Sequence, residues 1–148
     1  MFTRILVAYD GSAESEKALN SAIDLAVISK ADLHVLTVAE DLPPYMMISP
    51  PEAPFDPEIA TVIAYQRDAY YDTVRQQAVD RAAEKNVTAN ATVVSGNETD
   101  SILCHARSIK ADLLVIGLHK HSALVDHLWG STTQRLTCAS PCSILAVH

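Results

Sequence analysis

Short apolar runs alternate with stretches of helical periodicity along the whole chain. Ile5 to Tyr9 is a run of β-forming residues, and Ser12 behind it is placed to cap a helix, with Glu14 and Glu16 near the positive end of that helix. Leu19, Ala22, Leu25, Ala26 and Ser29 recur on one face of it. Leu33 to Val38 predicts a second strand, and Thr88 to Val94 a third in which β-branched residues alternate with small ones. Between these two runs a long helical pattern extends from about Pro57 to Lys85. Its inward candidates are Ile59, Val62, Ile63, Tyr70, Val74, Ala78 and Ala82, and Pro57 suits its first turn. Glu98 to Lys110 predicts a shorter helix burying Ile102, Ala106 and Ile109. An apolar strand over Leu113 to Ile116 follows and ends in Gly117. A Gly130-Ser131-Thr132 run opens a last helix reaching about Cys138, and Ser143 to Val147 is the final strand.

Strands separated by helices predict a parallel sheet covered on both faces, because each right-handed crossover lays its helix on one side. A single α/β domain over residues 1–148, layered helix, sheet, helix, is the expected fold. At 148 residues the chain is long enough to bury roughly 70% of the surface it exposes when unfolded. Six of the seven prolines lie between Pro43 and Pro57, where they deny the chain a regular ladder. This loop, residues 39–56, leaves the carboxyl end of a strand, the rim where α/β folds bind ligands. It is either a functional loop or an insertion without a role.

The formal charge of −7 and the lack of a Lys/Arg cluster argue against nucleic-acid or anionic-membrane partners, which are bound chiefly through basic groups. A small anion would need a local site built from the backbone. No apolar run nears the ~18 residues of a membrane span. Met1 to Arg4 leads directly into a strand without a signal-peptide pattern, so a cytoplasmic protein is expected. Cys104, Cys138 and Cys142 are odd in number and have no C-x-x-C spacing, which predicts free and mostly buried thiols.

The ligand crevice of an open α/β sheet lies where the winding reverses, here expected between the first and fourth strands. Those strands end at Asp10-Gly11-Ser12 and at Gly117, and the Gly130-Ser131 helix start would converge on the same rim. Backbone N–H groups at a helix start suit phosphate oxygens, although Ser and Thr also cap helices that bind nothing. Asp10 can accept hydrogen bonds from a ribose hydroxyl or hold a metal-bound phosphate, Mg2+ being the ion concerned. It can equally form an ordinary strand-to-helix turn. His119, His121 and His127 share one loop with Asp126. Three converging ligands would make a metal site, but no other signal supports one, and solvated or phosphate-flanking imidazoles are expected. There is no G-x-S-x-G elbow and no nucleophile paired with a base, so no catalytic residue is assigned and an enzyme is not expected.

Taken together, Ile5-Leu6-Val7-Ala8-Tyr9-Asp10-Gly11-Ser12 at one end and Pro141-Cys142-Ser143-Ile144-Leu145-Ala146-Val147 at the other resemble the universal stress proteins, and the likeness covers essentially the whole chain. The family's nucleotide-binding branch carries G-x2-G-x9-G-[S/T] after the fourth strand. Here that pattern falls on Gly117, Lys120, Gly130 and Ser131, with Lys120 in place of the second glycine. The resemblance implies an adenine nucleotide alpha hydrolase-like sheet of order 3-2-1-4-5, homodimerisation through Ser143 to Val147, and ATP or another adenine nucleotide held between the first and fourth strands. By the same resemblance Gly117, Gly130, Ser131 and Thr132 would meet phosphate or ribose, Asp10 with Ala8, Gly11 and Ser12 beside it the ribose or phosphate side, and Val38 and Ala39 the adenine. Lys120 either obstructs the phosphates or grips the terminal one. A nucleotide-dependent stress-response module is therefore expected, or a dimeric interaction module of the same family that has lost the nucleotide.

Overall fold

A computed structural model describes residues 1–39, 57–118 and 131–148. Five strands, β1 (Arg4–Ala8), β2 (Asp32–Ala39), β3 (Ala89–Ser95), β4 (Leu113–Gly117) and β5 (Ser143–Val147), form one sheet. Its order is β3-β2-β1-β4-β5 and every pairing is parallel. The helices are α1 (Ala13–Ser29), α2 (Pro57–Glu84), α3 (Glu98–Ser108) and α4 (Ser131–Ala139). The expected three-layer α/β fold and strand order are those observed. Of the proline-rich loop expected over residues 39–56, only Ala39 falls among the described residues.

Alternation along the strands divides the core in two. Ile5, Val7 and Tyr9 of the β1 segment, with Leu33, Val35, Leu113 and Val115, face α1 and α2, where Leu19, Ala22, Ile23, Val74, Ala78 and Ala82 meet them. Leu6, Leu36, Leu114 and Ile116 face the other way, onto Ile102, Leu103 and Ala106 of α3 and Leu136 of α4. The winding therefore reverses between β1 and β4. At the opposite end of the strands Asp112 fixes the entry into β1, accepting from the N–H and hydroxyl of Thr3, each at 2.7 Å, and from the N–H of Arg4 at 3.1 Å.

Three expectations need correction. Ile59, Val62, Ile63 and Tyr70 were the inward candidates of the long helix, yet they are exposed, whereas Val74, Ala78 and Ala82 are buried as expected. The reason is length. The 28 residues of α2 extend about 42 Å, and the 7 residues of β3 about 23 Å. Arg67 already touches Ala39, the last residue of β2, so the turns before Arg67, with Ile59, Val62 and Ile63, stand beyond the rim and have no sheet to cover. Tyr70 lies past Arg67 and is exposed by helical phase, the inward direction before Val74 being taken by the half-buried Tyr71. Ile109 and Leu25 are half-buried, Ile109 being the C-cap of α3 and outside the helix proper. The thiols are not mostly buried: Cys104 and Cys138 are exposed and Cys142 is half-buried. Helical phase decides this, since Ile102, Leu103, Ala106 and Leu136 occupy the inward directions of α3 and α4.

Candidate functional site

The carboxyl ends of β1 and β4 lie side by side, with Val7 opposite Val115. Continued two residues further, that register sets Tyr9 against Gly117. The backbone crosses from β1 to α1 through Asp10 and Gly11, and Gly11 takes φ +81°, a value that L side chains disfavour. Asp10 Oδ1 accepts from the N–H of Ser12 at 2.9 Å, and Ser12 Oγ accepts from the N–H of Ser15 at 3.2 Å. Ser15 Oγ returns a bond to the Ser12 carbonyl at 3.0 Å and receives the Asp10 N–H at 3.3 Å. The turn is thus closed by its own side chains. Asp10 is a turn former here and still exposed at the rim, so the two roles open in the sequence are compatible.

Gly117 owes its identity to packing. A Cβ at this position would lie 2.5 Å from the backbone carbon of Glu14 and 2.8 Å from the nitrogen of Ser15. Only a glycine lets the end of β4 pass under the first turn of α1. The sequence pattern marks the same residue as part of a phosphate loop, but its closest neighbours among the described residues are the backbone of α1.

On the far side of β1, the Tyr9 N–H donates to the Leu36 carbonyl at 2.9 Å, while the Ala39 carbonyl turns the other way and accepts from Gly96 N–H at 3.2 Å and Arg67 Nη2 at 2.9 Å. Backbone groups alternate sides along a strand, so the N–H and C=O of Val38, two residues after Leu36, face β1 and the crevice. Ala39 is tied instead to β3 and α2. Ala8 is half-buried inside β1 and packs toward α3 and α4. Thr132 is half-buried in the first turn of α4 and Ser131 begins that helix. Lys120, Gly130, His119, His121, His127 and Asp126 lie outside the described residues. Among the described residues no group of three or more His, Cys, Asp or Glu is placed to hold a metal ion.

One network beneath the rim is not signalled by any motif. Tyr9, 3% exposed, donates its hydroxyl to Glu16 Oε2 at 2.8 Å, and Glu16 Oε1 receives Arg81 Nη2 at 2.7 Å. Burial, and then the bond to Glu16, push the Tyr9 phenol well above its ordinary value, while Arg81 first and Tyr9 second hold the Glu16 carboxyl below its own. The phenol therefore stays a donor and the carboxylate stays charged. The clasp ties the start of α1 to the last turns of α2, directly under Asp10. Its only trace in the sequence is the spacing of Tyr9 and Glu16, which brings a strand end and the first turn of a helix to one side. Arg67, whose guanidinium lies 5.9 Å from the Tyr71 ring centre, also carried no signal.

Similarity to known proteins agrees with this geometry. The family model described as the universal stress protein family matches residues 1–148. A universal stress protein of Bacillus subtilis, YxiE, is 31% identical over 159 residues and the match covers all of both chains. Among solved structures, a universal stress protein in complex with cAMP is 26% identical, with TM-score 0.74 over 99% of this chain and 97% of that one. The universal stress protein of Archaeoglobus fulgidus in complex with dAMP, 17% identical with TM-score 0.67 over 99% and 98%, shares the fold. With the whole length matched, this chain belongs to the universal stress protein family.

Proposed function

We propose that this protein binds ATP or a related adenine nucleotide in the crevice between β1 and β4 and acts as a dimeric, nucleotide-dependent regulatory module of the cytoplasm. The observation that carries this reading is the reversal of winding between β1 and β4, with the Asp10 turn, the Val38 backbone pair and the start of α4 on one rim. A relative 26% identical to this chain is crystallised with cAMP, which supports the same ligand class here. The donor set fits. Val38 offers one N–H and one C=O, matching an adenine ring nitrogen and amino group. Asp10 offers a carboxylate to ribose hydroxyls, and Gly130, Ser131 and Thr132 at the helix start suit phosphate oxygens. Mg2+ would be held chiefly by the phosphates, since Asp10 Oδ1 already serves the Ser12 N–H. That engagement also disfavours Asp10 as a general base, so the reading is of binding and release without turnover.

Mass spectrometry of small molecules released on denaturing the purified protein, with calorimetry against ATP and AMP, tests it. Nucleotide is expected, and Gly130→Val should weaken binding while the protein stays folded. An unchanged affinity in the folded variant overturns the placement.

Lys120 favours a second reading, the nucleotide-free interaction module, because a side chain replaces the glycine of the motif. The two readings separate cleanly. If the Lys120 ammonium grips the terminal phosphate, Lys120→Gly weakens ATP more than AMP. If it obstructs, the same change tightens both, and the native protein carries no nucleotide.

A further inference from the structure

β2 overruns its neighbour at the rim. β1 pairs with it as far as Ala8 opposite Leu36, and the Tyr9 N–H adds one bond to the Leu36 carbonyl before the chain turns away at Asp10. Beyond that point the strand lies along β3, with Val38 opposite Val94 and Ala39 opposite Ser95. The bond that closes this ladder, from Gly96 N–H to the Ala39 carbonyl, is long at 3.2 Å, and Gly96 leaves β3 with φ +135°. The same carbonyl accepts Arg67 Nη2 of α2 at 2.9 Å, and a bond from a guanidinium is the stronger kind. Arg67 is therefore the firmer of these two anchors on the strand end. It is itself braced: its guanidinium carbon lies 5.9 Å from the centre of the Tyr71 ring, one turn further along α2 and within cation–π reach. The Tyr70 ring meets that of Tyr71 edge-on, with 5.3 Å between centres.

We propose that Arg67, braced by Tyr71, is a positioning residue that sets base selectivity: by pinning the Ala39 carbonyl to α2, it holds the adjacent Val38 N–H and C=O in a fixed pose toward the crevice, so that adenine is taken and a 6-oxopurine is refused. The proposal rests on the nucleotide reading above and deepens it. Adenine presents an accepting ring nitrogen and a donating amino group, which match the N–H and C=O of Val38. Hypoxanthine and guanine present a ring N–H and a carbonyl in those places, so each group of Val38 would meet its own kind. Rejection of this sort leaves polar groups unpaired, and it is effective only where the reading groups cannot turn to suit the wrong base. Val38 has no β1 residue beside it to prevent such a turn. What keeps it in place is the anchoring of its neighbours, and Ala39, the last residue of β2, is the one that would otherwise fray first. Arg67 thus acts through Ala39 and not on the base.

Calorimetry against ATP and ITP tests it, because the two share ribose and phosphates and differ only in the base, so effects through Lys120 or the start of α4 drop out of the ratio of affinities. The native protein should prefer ATP. In Arg67→Met, which keeps an extended side chain and removes its charge, that preference should fall about fivefold or more, the worth of one hydrogen bond. Arg67→Lys, whose ammonium can still reach a carbonyl, should recover part of it, and Tyr71→Leu should lower it by less than Arg67→Met does. A ligand-free measurement accompanies these: hydrogen exchange of the Gly96 amide should quicken in Arg67→Met as the strand end opens. A merely structural role would weaken ATP and ITP equally. An unchanged ratio in folded Arg67→Met, equal affinities of the native protein for ATP and ITP, or unaltered Gly96 exchange would each overturn the positioning role while leaving nucleotide binding intact. Failure of the native protein to bind either nucleotide would overturn the reading beneath it, and the proposal with it.

Discussion

Gly117 and Glu14 meet backbone to backbone: a Cβ on Gly117 would lie 2.5 Å from the Glu14 carbonyl carbon. This approach sets α1 over the junction of β1 and β4, and so sets the height of the Asp10 turn above the crevice. Gly117→Ala should destabilise the protein by about 1–3 kcal/mol, the usual cost of forcing a close-packed element apart. Because the added methyl faces α1, the variant should lose affinity for AMP and ATP alike, through the displaced turn. Urea unfolding with parallel calorimetry checks both. A selective loss of ATP would instead place the methyl against the terminal phosphates.

The Tyr9–Glu16–Arg81 clasp predicts an acid-sensitive junction. The fold lowers the Glu16 carboxyl below its ordinary 4.5, so its contribution is present above that value and is lost as pH falls through the lowered one. Glu16→Gln should therefore flatten the decline of the urea midpoint below about pH 4.5. Tyr9→Phe should cost about 1 kcal/mol at neutral pH, the net worth of one hydrogen bond. A full-sized acid decline in Glu16→Gln would remove Glu16 from the account.

His34 on β2 and His105 on α3 supply a separate window at higher pH. Burial lowers both imidazoles from 6.5; Asp32 opposes and Arg4 reinforces this at His34, and His34 itself disfavours charge on His105. The unfolded chain takes up protons near 6.5 that the fold resists. Stability should be complete above that pH and decline as the pH falls through it toward the lowered folded values. Unfolding midpoints at pH 7.5 and 5.5 should differ in the native protein, and less in His34→Gln and His105→Gln. Equal slopes in all three proteins would show that neither imidazole is responsible.

The proposed dimer has a defined point of attack. Leu118 N–H donates to the Val147 carbonyl at 2.8 Å, so Val147 faces β4. Ala146, one residue earlier, turns its N–H over the open edge of β5. Proline at Ala146 should spare the β4–β5 ladder and remove a seam donor from each copy, weakening a dimer paired along this edge by about tenfold or more. Light scattering across a dilution series reads the change. A monomeric mass for the native protein at about 50 μM, where modest dimers persist, would dispose of the pairing.

Much of the fold was legible because its signals are local. β-branched runs mark the strands, Ser12 caps α1 as its spacing predicts, and α3 begins at Glu98 as its pattern predicts. Alternation of strand and helix implies parallel pairing, and the terminal segments resemble one family, so the strand order could be expected from them. What escaped depended on how far one element reaches past another. Apolar periodicity at Ile59, Val62 and Ile63 says that a helix has a face, but not that the sheet stops near Arg67 and leaves that face uncovered.

The candidate site divides along the same line. The sequence by itself determined the residue types at the rim: an Asp-Gly-Ser turn after β1, a glycine ending β4 and a Gly-Ser-Thr helix start. Tertiary structure alone decided what several of them do. It spent the freedom of Gly117 on the α1 backbone and tied the Ala39 carbonyl to β3 and Arg67, leaving Val38 toward the crevice. It joined Tyr9, Glu16 and Arg81, the last two 65 residues apart in the chain. The physical reason is that backbone conformation and capping are governed by neighbours within a few residues. Close approach, hydrogen-bond saturation and exposure are set by whichever distant segment packs alongside.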